Sequence, residues 1–124
     1  MDKNKKFDIY ERALEFAARV ATFIEKLPKG IAAIEYSKQL IRASGSVGSN
    51  IEEADGALTR KDFVNKMGIS RRESRESRHW LRLIKKTQFI KNQEDGKELD
   101  WLINEAKEIL LIVSSIIRNT QENS

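Results

Sequence analysis

Arg71, Arg75, Arg78 and Arg82, followed by Lys85 and Lys86, recur every three or four residues. On a helix that spacing puts them on one face. A guanidinium fork matches phosphate geometry, so such a row has the chemistry to track a nucleic-acid backbone. Two other readings fit the same residues. The row is a solvated face with local pairs to Glu76, or it meets the carboxylates Glu94, Glu98, Glu105 and Glu108 of a later helix, in the same chain or in a neighbouring subunit.

Other chemistry-bearing residues are weaker candidates. Glu76 and His79 form a Glu-x-x-His, but the chain has one His in total. A single subunit therefore cannot assemble the paired motifs of a di-iron bundle, and we expect no metal and no cofactor, with His79 facing solvent or at a rim. Asn50, Glu53 and Glu73 are polar residues at packing positions, where carboxylates acquire shifted pKa values. No nucleophile, His base or phosphate-binding loop accompanies them. They are read instead as a structural polar network in which Arg42, Ser46, Asn50 and Glu53 face Ser70 and Glu73, fixing helix register. The Gly45-Ser46-Val47-Gly48 run has the letters of an RNA-clamping loop but lies in a helical context. No catalytic residue is assigned, and the chain is read as a non-enzyme.

The arginine row needs a scaffold, and residues 59–91 supply it. This stretch has no Pro and one Gly, and a helix of about 30 residues within it would be about 45 Å long. Phe63, Met67, Ser70, Ser74, Ser77, Leu81 and Ile84 share a second face. Its serine-rich middle invites close approach by another helix. Trp80 falls opposite the arginines at the edge of this seam, as core or as an anchor between subunits.

The remaining segments read as helices that cover the seam. In the first, Ile9, Ala13, Phe16, Ala17, Val20, Phe23, Ile24 and Leu27 form a stripe that Pro28 and Gly30 end. Asp8 and Glu11 have capping-box spacing at its start. The second has a seam of Leu40, Ser44, Val47, Ile51 and Ala54, flanked by Ile41 and Gly48. Gly45 and Gly48 cost roughly 1 kcal/mol each in a helix, which we ascribe to close packing on the serines of the third. Thr59 and Asp62 begin the third helix. Asp95 and Glu98 have capping-box spacing for the fourth, whose stripe is Leu99, Leu102, Ile103, Ala106, Ile109, Leu110, Val113, Ile116 and Ile117. The boundaries predicted are about 8–27, 32–57, 60–90 and 96–119, with polar ends. The expected fold is all-α, one antiparallel up-and-down four-helix bundle over residues 1–124.

Bulk properties agree. The chain has 124 residues, 40% hydrophobic and 34% charged, enough for one core and unlike a disordered protein. Cysteine is absent, so neither disulfides nor thiolate metal sites arise. The first ten residues lack an apolar signal segment, and the longest apolar run, Ile109 to Val113, is too short to span a bilayer. A cytoplasmic protein without a membrane partner is the expectation. The net charge of +4 is unevenly spread: residues 59–91 carry eleven basic and three acidic side chains, whereas residues 92–124 carry three basic and seven acidic.

Ser46, Asn50, Ile51 and Glu53, then Lys61-Asp62-Phe63, then Ser70 and Glu73, reproduce a signature. It resembles that of the bacterial four-helix bundle proteins named after intervening sequences in 23S ribosomal RNA genes. The Phe7-Asp8 start and the Pro28 stop fit as well. Glu52-Glu53-Ala54-Asp55-Gly56 departs from the Ala-Glu-Gly of many relatives. The resemblance implies a four-helix bundle forming a ring-like homopentamer. It also implies kinship with basic accessory proteins of diversity-generating retroelements, which work with a reverse transcriptase. Together these readings favour a non-enzymatic oligomer that binds RNA, DNA or a nucleic-acid-processing protein through the basic third helix. The alternative is a purely structural or protein-interaction oligomer with no nucleic-acid ligand.

Overall fold

A computed structural model describes residues 3–123, with side chains from residue 9 onward. Four α-helices follow one another: α1 (Lys3–Ile24), α2 (Ile31–Asp55), α3 (Arg60–Thr87) and α4 (Gln93–Glu122). Among the described residues there is no strand. Each helix adjoins two others, in the ring order α1, α2, α3, α4, and no diagonal pair comes close.

The direction of the helices can be read from paired residues. Along the α2–α3 contact, Tyr36 meets Trp80 and Phe89, Arg42 meets Glu73 and Glu76, and Val47 meets Ser70. Numbers rise on α2 as they fall on α3, so the two run antiparallel. Arg12 with Glu105, Arg19 with Glu98 and Lys26 with Asp95 give the same relation between the α1 and α4 segments.

The apolar stripes converge as their period requires. Ala13, Phe16, Val20, Leu40, Val47, Leu81, Ile84, Leu102, Ala106, Ile109 and Val113 are wholly buried. Burying each large aliphatic or aromatic side chain contributes about 1.5–3 kcal/mol. Ser70, Ser74 and Ser77 lie in the same interior. Ser74 and Ser77 donate to the carbonyls of Ser70 and Glu73 in their own helix, and Ser70 donates to Val47 O at 2.9 Å. Every hydroxyl is thus paired, which is what makes a serine seam tolerable in a core. Phe63 at its start is only partly buried.

Three local expectations need correction. α1 begins at Lys3, so Asp8 is interior and does not cap it; the Asp8 side chain lies outside the described residues. The capping box of α4 is one turn earlier than its spacing suggested. Asn92 accepts from the Asp95 amide at 2.8 Å and donates to the Asp95 carboxylate at 2.8 Å, and the helix continues through the polar residues to Glu122. The glycines of α2 do not serve α3. A Cβ on Gly48 would lie 3.4 Å from Ala13 Cβ of α1, and one on Gly45 would meet nothing within 4 Å.

α3 itself begins as expected. Thr59 Oγ1 accepts from the Asp62 amide at 3.0 Å, and Asp62 lies in the first turn. The helix ends at Gln88, whose φ of 58° turns the chain while its amide donates to Lys85 O.

Candidate nucleic-acid interface

α3 adjoins α2 on one side and α4 on the other, and its arginine row flanks the core on the α4 side. Arg71 and Arg78 are half-buried, while Arg75, Arg82, Lys85 and Lys86 are exposed. Lys85 pairs with Asp100 of α4 at 2.6 Å. Arg71, Arg75, Arg78, Arg82 and Lys86 form no ion pair among the described residues. Nε of Arg78 is buried and has no hydrogen-bond partner. A buried donor left unmet costs about 1–3 kcal/mol, more when charged, and a nearby acceptor would recover it.

Apart from Asp100, the carboxylates of α4 do not answer this row within the chain. Glu105 is held by Arg12, whose Nε and Nη2 donate at 3.0 and 2.7 Å. Glu98 is held in the same two-pronged way by Arg19, at 2.9 and 2.6 Å. Arg19 also lies over the Trp101 ring, 3.5 Å from its centroid. Its hydrogen bonds to Glu98 raise the guanidinium pKa above the ordinary arginine value, against the opposing effect of desolvation. Glu94 and Glu108 make no ion pair among the described residues. Glu98 and Glu105 therefore serve α1, and Asp100 of α4 reaches α3 at Lys85 alone, so the arginines of the row keep their charge.

The polar network forms only in part. Arg42 reaches both Glu73, at 3.4 Å, and Glu76, and Arg72 approaches Glu73 at 3.5 Å. Trp80 Nε1 donates to Glu76 at 3.3 Å. Ser70 belongs to the interface through Val47 O. Asn50 instead turns back on its own helix, donating to Ser46 O and Ser46 Oγ. Glu53 is exposed and outside the network. Glu53 lies on the same face as Ser46, two turns further on and near the end of α2.

Glu73 is buried, with two arginines beside it. His79 is exposed and lies edge-on to Trp80 at 4.9 Å. No group of three His, Cys, Asp or Glu able to hold a metal occurs among the described residues. Trp80 is half-buried and packs on Tyr36, with ring centroids 5.7 Å apart.

Two features were not anticipated. Arg12 and Arg19 are seven residues apart, as are Glu98 and Glu105, so two antiparallel helices match them pair for pair; the equal intervals were the available signal. The second is a shallow groove of about 490 Å³ where α3 ends, lined by Arg82, Lys85, Lys86, Gln88 and Ile103. No sequence pattern announces it, because it depends on how α3 and α4 meet.

The family model described as 23S rRNA-intervening sequence protein matches residues 5–112. A solved structure from Bacteroides thetaiotaomicron VPI-5482, titled a protein with unknown function from the S23 ribosomal protein family, is similar. It is 33% identical, with a TM-score of 0.78, over 88% of this chain and 97% of that one. No curated protein matches. The chain belongs to the 23S rRNA-intervening sequence protein family. No helix of the described residues is long and apolar enough to cross a membrane.

Proposed function

From that membership we propose that the chain is a non-enzymatic, oligomeric bundle that binds nucleic acid, or a partner already carrying it, through the basic surface of α3. The observation that carries this reading is the contrast between arginines. Arg12 and Arg19 of α1 are each locked to a carboxylate, whereas Arg71, Arg75, Arg78 and Arg82 have none among the described residues. An unneutralised row of cations attracts a polyanion, and the release of its counterions drives binding. The family's name suggests a setting linked to ribosomal RNA intervening sequences, in the cytoplasm.

The oligomer is supported by apolar side chains that the chain leaves uncovered. Leu14 on α1 and Ile34 and Ile41 on α2 are each more than two-fifths exposed. The exposed Gly45 would let a second copy come close. Five subunits is the number that the family resemblance implies. These same residues favour the second reading, a purely structural oligomer, in which the basic surface has no nucleic-acid ligand.

Titrating labelled RNA and DNA with the protein at 25 to 200 mM salt separates the two. The first reading expects binding that weakens steeply with salt. Absence of binding at the lowest salt, where screening is least, leaves the structural oligomer. Light scattering at micromolar concentration tests assembly, and a strict monomer would remove that half of the proposal.

A further inference from the structure

We infer that the ligand of α3 is a single strand, and that the groove beyond Arg82 takes one of its unpaired bases. This rests on the nucleic-acid reading above and specifies the form of the ligand.

Five cations without an ion pair among the described residues, Arg71, Arg75, Arg78, Arg82 and Lys86, span fifteen residue steps of one helix. That is about 22 Å along the axis, a path for several successive phosphates. Gly68 lies one turn before Arg71, and a Cβ built there would meet nothing within 4 Å. The approach to that end of the row is therefore unobstructed by a side chain. At the other end the row runs into the groove of about 490 Å³. This is within the range of small-molecule sites, about 300–1,000 Å³, and ample for a base.

The lining suits a base better than another phosphate. Ile103 of α4, half-buried, supplies an apolar surface for a ring face. Gln88 offers an amide that both donates and accepts, as a base edge requires. Its left-handed backbone, φ 58°, stops α3 and brings residue 88 to the groove. Arg82 presents a planar guanidinium on which a base can stack, with Lys85 and Lys86 beside it for the flanking phosphates. Bases in a duplex are stacked and paired, and cannot enter without being flipped out at a cost of a few kcal/mol.

The experiment uses fluorescence anisotropy with the full chain and three probes: an unstructured 12-nucleotide RNA, the same RNA annealed to its complement, and an abasic strand of equal length. The single strand should bind about tenfold more tightly than the duplex. Its slope of log K against log salt should be near −3.5, from about 0.7 per cation over five cations. The abasic strand should lose affinity. Ile103→Ala and Gln88→Ala should each weaken single-strand binding about fivefold, equivalent to roughly 1 kcal/mol, and leave duplex affinity unchanged. The unchanged duplex value shows that these variants are folded. Equal affinity for single strand and duplex, or an abasic strand that binds like the intact one, overturns the inference while the nucleic-acid reading stands. Failure of all three probes to bind overturns that reading itself.

Discussion

The guanidinium of Arg19 lies 3.5 Å from the centroid of the Trp101 ring while its two nitrogens grip Glu98. About two turns away in the same interface, Arg12 grips Glu105. These clips tie α1 to α4. Removing one partner of a half-buried, charge-assisted pair costs about 2 kcal/mol. Glu105→Ala should therefore lower the melting temperature by roughly 8 °C for a chain of this size. Thermal unfolding followed by circular dichroism checks this. Because neither clip touches the α3 row, Glu98→Ala with Glu105→Ala should leave polyanion affinity as it was. Loss of affinity in a variant that remains folded would mean that α4 carboxylates shape the basic surface after all.

Replacing Arg71, Arg75, Arg78 and Arg82 together with Ala should abolish most polyanion binding. The salt slope should fall by about 3, at 0.7 to 0.9 per lost contact. Helicity should be retained, since Met67, Leu81 and Ile84 of the seam are untouched and these arginines satisfy no carboxylate of the fold. Sedimentation of the same variant distinguishes a second role. A change in assembly would assign the row to contacts between subunits.

Gly45→Ala and Gly68→Ala should each stabilise the isolated chain by about 1 kcal/mol, the usual helix-propensity gain, because their added Cβ atoms meet nothing. Gly48→Ala should gain less, since Ala13 Cβ already lies at 3.4 Å. Urea midpoints at concentrations that favour the free chain measure all three. Destabilisation by Gly45→Ala only at concentrations where the protein assembles would place a second copy against that glycine.

Acid should loosen the start of α4. The hydrogen bond from Asn92 is the main cause that holds the Asp95 carboxyl below the ordinary aspartate value, with Lys26 adding to it. A depressed folded-state pKa stabilises the fold above the unfolded value, near 3.8, and that stabilisation disappears as pH falls through the folded value. Asn92→Ala should therefore flatten the dependence of stability on pH below about 4. Denaturation series at pH 2.5 to 6 would show it, and an unaltered profile would rule out Asp95 as a contributor.

The helices and their buried stripes were legible because periodicity records which residues must leave water. Leu40, Val47, Ile51 and Ala54 of α2, or Leu99, Leu102, Ala106 and Ile109 of α4, need only a 3.6-residue repeat to be recognised. The serine seam was legible for the same reason. Partner choice was not. Glu98 and Glu105 carry the right sign for the α3 arginines, and α4 adjoins both α1 and α3; only the face of α4 they occupy sends them to Arg12 and Arg19. Asn50 illustrates a second limit. Its position on the polar row says that it can face α3, but a bond to Ser46 O one turn back is closer to hand. The α3 row was visible by spacing, whereas the freedom of its arginines from ion pairs among the described residues is a property of the assembled bundle.

The clips between α1 and α4 join residues 93 and 79 positions apart, while the α2–α3 contacts of Arg42 and Ser70 span 31 and 23. Closing the longer loop sacrifices more chain entropy, so the α2–α3 hairpin has the advantage in forming early and α1–α4 closure comes late. Interactions made after the transition state slow unfolding without hastening folding. Arg12 and Arg19 then act as a latch on the lifetime of the native state: weakening them leaves the refolding rate nearly constant and shortens the time for which a folded molecule stays folded.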